Sequence, residues 1–144
     1  MAAVQHRLTV ATAGRGLYEV TREVAGWVAG QDLDPALLTL FIRHSSASLL
    51  IQENAAPAVR RDLAAFLERL APEDASLYEH DEEGPDDMPG NIRAALLPSH
   101  LAVPVAGRRL LLGTWQGIFV VEHRRAPQRR AVILHLAGEP ASGG

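Results

Sequence analysis

Residues 37–52, LLTLFIRHSSASLLIQ, place two apolar runs on either side of a short polar segment. Residues 37–43 and 47–52 have the length and apolar content of buried strands, and His44, Ser45 and Ser46 form a polar corner between them. A third buried run, residues 118–121, ends in the same way at Glu122 and His123. The sequence therefore predicts two strands that each present a histidine where they leave the core.

Three helices are predicted elsewhere in the chain. Thr21 is a typical N-cap for a helix that ends near residue 30 and turns Val24, Trp27 and Val28 inward. A second helix starts at Pro57, and a third, short helix follows Pro89. The second helix carries one apolar stripe at helical spacing, formed by Val59, Leu63, Phe66, Leu67 and Leu70. In the third helix, Ile92 and Leu96 are expected to face the core.

The remaining apolar segments predict strands at residues 5–11, 101–105, 110–112, 114–122 and 131–136. The turns between the later strands are short, which favours antiparallel hairpins between consecutive strands. This pattern predicts an α+β fold, mostly an antiparallel two-sheet β-sandwich of jelly-roll type, with two or three helices at one side. We expect one domain over residues 1–139 and a flexible tail at residues 140–144.

Composition excludes several classes of function. The chain has 144 residues, 47% of them hydrophobic, and no apolar run long enough to span a bilayer. The N-terminus lacks a signal-peptide profile, so a cytoplasmic location is expected and no membrane partner. The formal charge of −3 gives no footprint for nucleic acid. Because the chain has no cysteine, any metal site is limited to histidine and carboxylate ligands.

Two further polar segments carry residues suited to chemistry. Residues 78–89 are acidic and turn-forming around Gly84, so His80 and Asp87 are expected on a loop that folds over the strand ends. Residues 113–117 place Trp115 between polar neighbours and glycines, where it could form the wall of a pocket. Structural alternatives remain: strand-end hydrogen bonds for His44 and His123, a surface ion pair for His80, a charge at the positive end of the following helix for Asp87, and core packing for Trp115.

These segments resemble the YjbQ-like family, which is often labelled secondary thiamine-phosphate synthase. The resemblance extends from about residue 8 to residue 139. It rests on His44-Ser45-Ser46-Ala47-Ser48, Glu53-Asn54, Arg60 with Asp62, His80, Glu83-Gly84, Asp86-Asp87-Met88-Pro89, Gly113-Thr114-Trp115-Gln116-Gly117, Glu122-His123 and Gly138-Glu139. It implies the same fold and a homotrimer with sites near the subunit boundaries.

Three positions depart from the family pattern. Asn91 stands where the family usually has histidine, Ala56 where it has aspartate, and Arg93 where it has lysine. Asparagine is a poor metal ligand, which weakens any four-ligand site. The loss of an aspartate cap before Pro57 should cost about 1 kcal/mol of helix stability. Arginine keeps the charge and improves bidentate binding of phosphate.

The residues and the resemblance together define a candidate site for a small phosphorylated or anionic ligand. The proposed catalytic residues are His44, His80, Asp87, Gln116, Glu122 and His123, and the proposed substrate-binding residues are Ser45, Ser46, Asn54, Arg93, Thr114 and Trp115. His44, His80 and His123 could also hold a divalent metal ion, Mg²⁺ or Zn²⁺. Three functions remain open: weak thiamine-phosphate synthesis, non-catalytic binding of a small molecule or metal, and metal-assisted hydrolysis.

Overall fold

Two antiparallel sheets carry the fold in the computed structural model, which describes residues 1–141. The elements in chain order are β1 (Ala2–Thr12), β2 (Gly16–Glu19), α1 (Thr21–Ala29), β3 (Leu33–Ile42), β4 (Ala47–Glu53), α2 (Pro57–Leu70), a 3-10 turn (Ala75–Leu77), α3 (Asp87–Leu96), β5 (His100–Ala106), β6 (Arg109–Leu110), β7 (Gln116–Glu122) and β8 (Gln128–Pro140). The predicted α+β class with two sheets and three helices is confirmed.

The larger sheet has the strand order β1-β8-β3-β5-β6, and the smaller sheet has the order β2-β7-β4. Apolar side chains from both sheets and from α1 form one buried cluster. It includes Leu38, Leu40, Leu134 and Leu136 from the larger sheet, Leu49, Ile118 and Val120 from the smaller sheet, and Val24 and Val28 from α1. This shared core fixes the two sheets relative to each other and so positions the strand ends.

The prediction that consecutive strands pair as hairpins was mostly wrong. β5 and β6 do form a hairpin, through Gly107 and Arg108, which both have positive φ. β7, however, pairs with β2 and β4, while β8 pairs with β1 and β3. The chain therefore crosses from one sheet to the other at residues 123–127, because strands of both sheets must close their apolar faces on the same core.

Helix α1 differs from its prediction at its first residue. Thr21 is the first helical residue, and the N-cap position is Val20, which makes no side-chain capping bond. The Thr21 hydroxyl instead accepts a hydrogen bond from the Ile118 backbone N–H at 2.9 Å, so it ties α1 to β7. Val24 and Val28 are buried as predicted, whereas Trp27 is half-buried and stacks on the ring of His6.

Helix α2 turns only part of its predicted apolar stripe inward, since Val59, Leu63 and Leu67 are half-buried, and α3 presents a different face from that predicted. α2 begins at Pro57 as expected, but 52% of Phe66 and 47% of Leu70 remain exposed. α3 begins at Asp87, and its buried residues are Asp87, Pro89, Gly90 and Arg93. The prediction of an inward Leu96 was wrong, because this side chain is exposed. The inward face of α3 instead makes polar contacts, from Asp87 to Arg124 and from Arg93 to the Ala71 carbonyl.

The C-terminal strand is longer than predicted. β8 runs to Pro140, and the Ala141 N–H donates to the Asp32 carbonyl at 2.9 Å. The tail expected at residues 140–144 thus overlaps the strand at Pro140, and its residues 142–144 lie outside the described residues. Within residues 1–141, each helix is too short or too polar to cross a membrane.

Candidate functional site

The strand ends and the acidic segment meet under helix α3. A Cβ built on Gly90 would lie 3.4 Å from the His123 Cβ and 3.7 Å from the Ser46 Cβ. The helix therefore packs directly on the corner after β3 and on the end of β7. The expectation that the acidic segment folds over the strand ends is confirmed.

His123 is almost completely buried. Only 1% of His123 and none of Ser48 is exposed, and the His123 Nε2 lies 2.8 Å from the Ser48 Oγ. Burial lowers the pKa of His123 to about 4, and the charge of Arg93 acts in the same direction. His123 is therefore neutral at pH 7.

Glu122 is held in a buried network. Its carboxylate accepts hydrogen bonds from the Thr12 hydroxyl at 2.7 Å, the Arg130 Nε at 2.8 Å and the Arg124 backbone N–H at 3.1 Å. Burial on its own would raise the pKa of Glu122, but the bonds from Arg130 and Thr12 outweigh it and the pKa is lowered. A carboxylate with its lone pairs occupied in this way is a poor proton acceptor, which favours a structural role over the predicted catalytic one.

His44 also makes a structural contact. Its Nε2 accepts a hydrogen bond from the Ala131 backbone N–H at 2.8 Å, which joins the end of β3 to β8. Partial burial lowers the pKa of His44, and the nearby charge of Arg130 lowers it further. This geometry matches the alternative of a strand-end histidine bonded to a neighbour.

The two aspartates of the acidic segment are tied to the strand end by one arginine. The Arg124 Nε donates to Asp86 at 3.1 Å, its Nη1 to Asp87 at 2.9 Å and its Nη2 to the Glu83 carbonyl at 3.1 Å. The Arg125 backbone N–H adds a bond to Asp86 at 2.9 Å. Asp87 thus contributes to the docking of α3 in addition to any role in chemistry.

One group of side chains within residues 1–141 could hold a metal ion. Ligand atoms of His80, Glu83 and Asp87 lie within 4.8 Å of one another. The His80 Nε2 is 3.4 Å from the Asp87 Oδ2, and the Asn91 Nδ2 is 3.3 Å from the same oxygen. The three histidines predicted as metal ligands do not form such a group in the described chain, since His44 and His123 are bonded to Ala131 and Ser48.

A cavity of about 360 Å³ opens beside His123. It lies between the turn joining β1 to β2, helix α2 and the end of β7, and Arg15, Arg93 and Arg125 all line it. A recess of about 250 Å³ shares these three arginines. Arg93 is almost fully buried and donates to the carbonyls of Leu67 at 3.2 Å and Ala71 at 2.7 Å, so it caps the end of α2.

The other two arginines of the cavity are paired with glutamates. Arg15 lies 2.8 Å from Glu68 and 3.2 Å from Glu73, and Arg125 also pairs with Glu73. The sequence analysis placed Arg93 in the site, but it did not place Arg15 or Arg125 there. The sequence does carry a signal for Arg15, because Gly14 and Gly16 flank it. Both glycines adopt positive φ in the turn after β1.

The residues predicted around Trp115 lie at the other end of the smaller sheet. Trp115 is 63% exposed, and the Gln116 side chain accepts a hydrogen bond from the Gly113 N–H at 2.8 Å. Asn54 donates to Glu19 at 2.9 Å. Thr114 immediately precedes Trp115, before β7 begins. Because β7 runs from Gln116 to Glu122, its two ends are about 20 Å apart at strand rise. The residues predicted to form one pocket therefore lie in two separate places, at opposite ends of β7.

Comparison with known proteins assigns the fold and the motifs to one family. Residues 6–139 match the family described as UPF0047 protein YjbQ-like. The chain belongs to this family. It is 47% identical to a UPF0047 protein of Synechocystis over 135 residues, which cover 94% of this chain and 92% of the relative. It is 41% identical to the UPF0047 protein YjbQ of Escherichia coli, with 94% and 98% covered.

Solved structures of similar proteins share the architecture. A conserved hypothetical protein of Thermus thermophilus matches with a TM-score of 0.79 and 32% identity, covering 89% of this chain and 97% of that one. A hypothetical protein of Aeropyrum pernix matches with a TM-score of 0.84 and 27% identity, covering 94% and 99%. The two-sheet α+β fold is therefore that of the YjbQ-like family.

The departures from the YjbQ-like pattern have clear locations in the structure. Asn91 lies against Asp87, so a histidine there would stand beside the His80 group. Ala56 is the N-cap of α2 and makes no side-chain capping bond. Arg93 uses two of its nitrogens on α2 carbonyls while lining the cavity.

Proposed function

We propose that this chain binds a small phosphorylated or otherwise anionic molecule in the cavity beside His123. The observation that carries the proposal is the convergence of Arg15, Arg93 and Arg125 on one cavity of about 360 Å³. That volume is near the lower end of the roughly 300–1,000 Å³ typical of small-molecule sites. It suits one ring with a phosphate group, and guanidinium groups are the preferred partners of phosphate oxygens.

The ion pairs at the cavity do not oppose such a ligand strongly. Arg125 and Glu68 are more than half exposed in their pairs with Glu73 and Arg15. An exposed pair such as that of Arg15 and Glu68 is worth about 0–1 kcal/mol, so a phosphate can displace Glu68 from Arg15 at small cost, while Glu73, which is only 11% exposed, keeps its contact with Arg15. Glu68 and Glu73 would then face the remainder of the ligand, which favours a molecule with a cationic or polar ring over a dianion alone.

Thiamine-phosphate synthesis is the specific activity we propose to test. It joins a thiazole phosphate to a pyrimidine diphosphate with loss of pyrophosphate, and so needs space for two rings and two anionic groups. The cavity of one chain is small for both substrates, and Trp115 lies at the far end of β7. We therefore propose that the activity needs a homotrimer in which a second copy brings Trp115 and Gln116 near the cavity.

Exposed apolar surface is consistent with such an assembly. Leu37 and Phe41 are nearly half exposed on β3, and Phe66 and Leu70 are similarly open on α2. Large apolar side chains left open on a single chain are typical of surfaces that contact another chain. Light scattering at micromolar concentration should give about three times the chain mass of 15.5 kDa. A mass equal to one chain would contradict the trimer and the shared site.

A metal-binding function is the second candidate. The group formed by His80, Glu83 and Asp87 has the mixed nitrogen and oxygen donors that suit Zn²⁺, with Mg²⁺ as the alternative. The pairing of Asp87 with Arg124 lowers the negative charge available to an ion, so we expect weak binding. Zinc should raise the melting temperature of the chain but not that of His80→Ala. Equal melting curves with and without zinc or magnesium would contradict this site.

Calorimetry tests the main proposal. The chain is titrated with inorganic phosphate, pyrophosphate and thiamine phosphate, beside the variants Arg15→Gln and Arg125→Gln. Loss of one charge-assisted hydrogen bond should weaken binding by about tenfold. Arg129→Gln is the matched control, because Arg129 is exposed and does not line the cavity. Absence of binding, or equal weakening by the control, would refute the anion site.

Turnover separates an enzyme from a binding protein. The two synthase substrates are incubated with the assembled chain, and release of pyrophosphate and formation of thiamine phosphate are measured. Product formation that is lost in Arg125→Gln would support the synthase. Tight binding of thiamine phosphate without product would instead favour the non-catalytic function.

A further inference from the structure

Ser48 makes one side-chain contact that decides the chemical state of His123. Ser48 lies in β4 and pairs with Val121 of the neighbouring strand β7, two residues before His123. Its Oγ is 2.8 Å from the His123 Nε2, and neither residue is appreciably exposed. Within residues 1–141 the Ser48 hydroxyl forms no second hydrogen bond, and neither does the His123 Nδ1.

Two arrangements of protons are compatible with this distance. If the His123 Nε2–H donates to Ser48, the hydroxyl hydrogen is left without an acceptor at a fully buried position. If the Ser48 hydroxyl donates to Nε2, both atoms are satisfied and the ring carries its proton on Nδ1. In that arrangement Nδ1 keeps some accessible surface where His123 lines the cavity, so its N–H can meet water there, whereas the Ser48 hydroxyl is fully buried. A buried donor without a partner is disfavoured by about tenfold or more in population, so the second arrangement should dominate.

The ring has one proton to place at neutral pH. Burial, the largest influence, lowers the pKa of His123 to about 4, and Arg93 also lowers it. His123 is therefore a neutral imidazole at pH 7, and its two nitrogens differ in kind. One accepts a hydrogen bond and the other donates one.

We propose that Ser48 is a positioning residue that holds His123 as the Nδ1-protonated tautomer, so that the ring offers a neutral N–H donor to the cavity. His123 lines the cavity with Arg15, Arg93 and Arg125. Nδ1 is the ring nitrogen that Ser48 leaves free. The ligand atom that meets His123 is then a hydrogen-bond acceptor, such as a phosphate or carboxylate oxygen.

The assignment has consequences for the earlier roles of His123. A protonated Nδ1 cannot ligate a metal and cannot take a proton from a substrate, so His123 acts as a donor to an anion. The part of this inference that concerns the ligand rests on the proposed anion binding. The tautomer itself does not, since the contact with Ser48 exists without a ligand.

Nitrogen NMR of the histidine rings tests the tautomer directly. The ¹⁵N-labelled chain is measured at pH 7 in a buffer without phosphate, and the His123 signals are assigned by their loss in His123→Gln. The expected spectrum shows a protonated Nδ1 and an unprotonated Nε2. Ser48→Ala should give a mixture of both tautomers, whereas Ser99→Ala, at an exposed position away from the cavity, should leave the signals unchanged.

Titration with inorganic phosphate completes the experiment. Phosphate should shift the Nδ1–H signal, and Ser48→Ala should bind phosphate several-fold more weakly than Ser99→Ala. A protonated Nε2 in the wild-type spectrum overturns the inference even if phosphate binds. A protonated Nδ1 together with absent phosphate binding overturns the proposed function but upholds the tautomer. If either variant fails to fold, His123 is assigned by its coupling to backbone signals, and the wild-type spectrum decides.

Discussion

Replacement of Glu122 by glutamine should destabilise the chain strongly, although the change is nearly isosteric. Glu122 is fully buried and receives bonds from Thr12, Arg124 and Arg130, and Arg130 itself is only 5% exposed. Removing one partner of a buried ion pair costs about 3–5 kcal/mol. Glutamine keeps one acceptor oxygen, but its NH₂ group faces donors that the carboxylate had accepted from. We therefore expect the free energy of unfolding to fall by about 3 kcal/mol, the lower end of that range.

The assay is thermal and urea unfolding of Glu122→Gln followed by circular dichroism at pH 7. At this chain length a loss of 3 kcal/mol corresponds to a fall in melting temperature of about 10 °C. Glu82→Gln is the control, because Glu82 is exposed in the acidic segment, and a surface change of this kind stays within about 0.5 kcal/mol. A loss below about 1 kcal/mol for Glu122→Gln would refute the structural role of the network.

The difference in stability between the wild type and Glu122→Gln should disappear in acid. The pKa of Glu122 is lowered in the folded chain relative to its ordinary value of 4.5. Its contribution is therefore fully present above pH 4.5 and decreases as the pH falls through the folded pKa. The free energies of unfolding of wild type and Glu122→Gln should converge below that range. A constant difference down to acid unfolding would contradict the assigned direction.

Three further changes have defined outcomes. Ala56→Asp should cap α2 and raise the free energy of unfolding by about 1 kcal/mol in urea titrations. Gly138→Ala would put a Cβ 2.7 Å from the Ala36 Cα and against the Pro35 carbonyl, and should lower stability by about 1–3 kcal/mol in the same assay. Asn91→His would add an imidazole beside Asp87 and should strengthen zinc binding at least tenfold by calorimetry; no gain would argue against the metal group.

The sequence predicted those elements whose signals are local. Pro57 marks the start of α2, and the apolar runs before His44 and before His123 locate two strands and the ends where these histidines lie. The sheet to which each strand belongs could not be predicted from such local signals. The turn at residues 123–127 is short enough for a hairpin, yet the chain there changes sheets because the shared core requires it. Likewise, the inner face of α3 is held by polar contacts of Asp87 and Arg93, which leave no trace in apolar spacing.

The candidate site could be predicted only in part for a related reason. The partners of His44 and His123 come from distant strands, and the cavity joins Arg15 to Arg93, which lie far apart in sequence. Grouping the two motifs into one pocket also overlooked the length of β7 between them. The motif around Trp115 and the pair at the end of β7 are neighbours in sequence but are separated by a whole strand.

A ligand-bound crystal structure tests the central claim most directly. Crystals grown without phosphate or sulfate are soaked with thiamine phosphate, and the bound density is located. We predict that the phosphate group lies within hydrogen-bond distance of the Arg15 or Arg125 guanidinium and of the His123 Nδ1, in the cavity those residues line. Ligand density confined to another part of the surface, with this cavity left unchanged, would contradict the account.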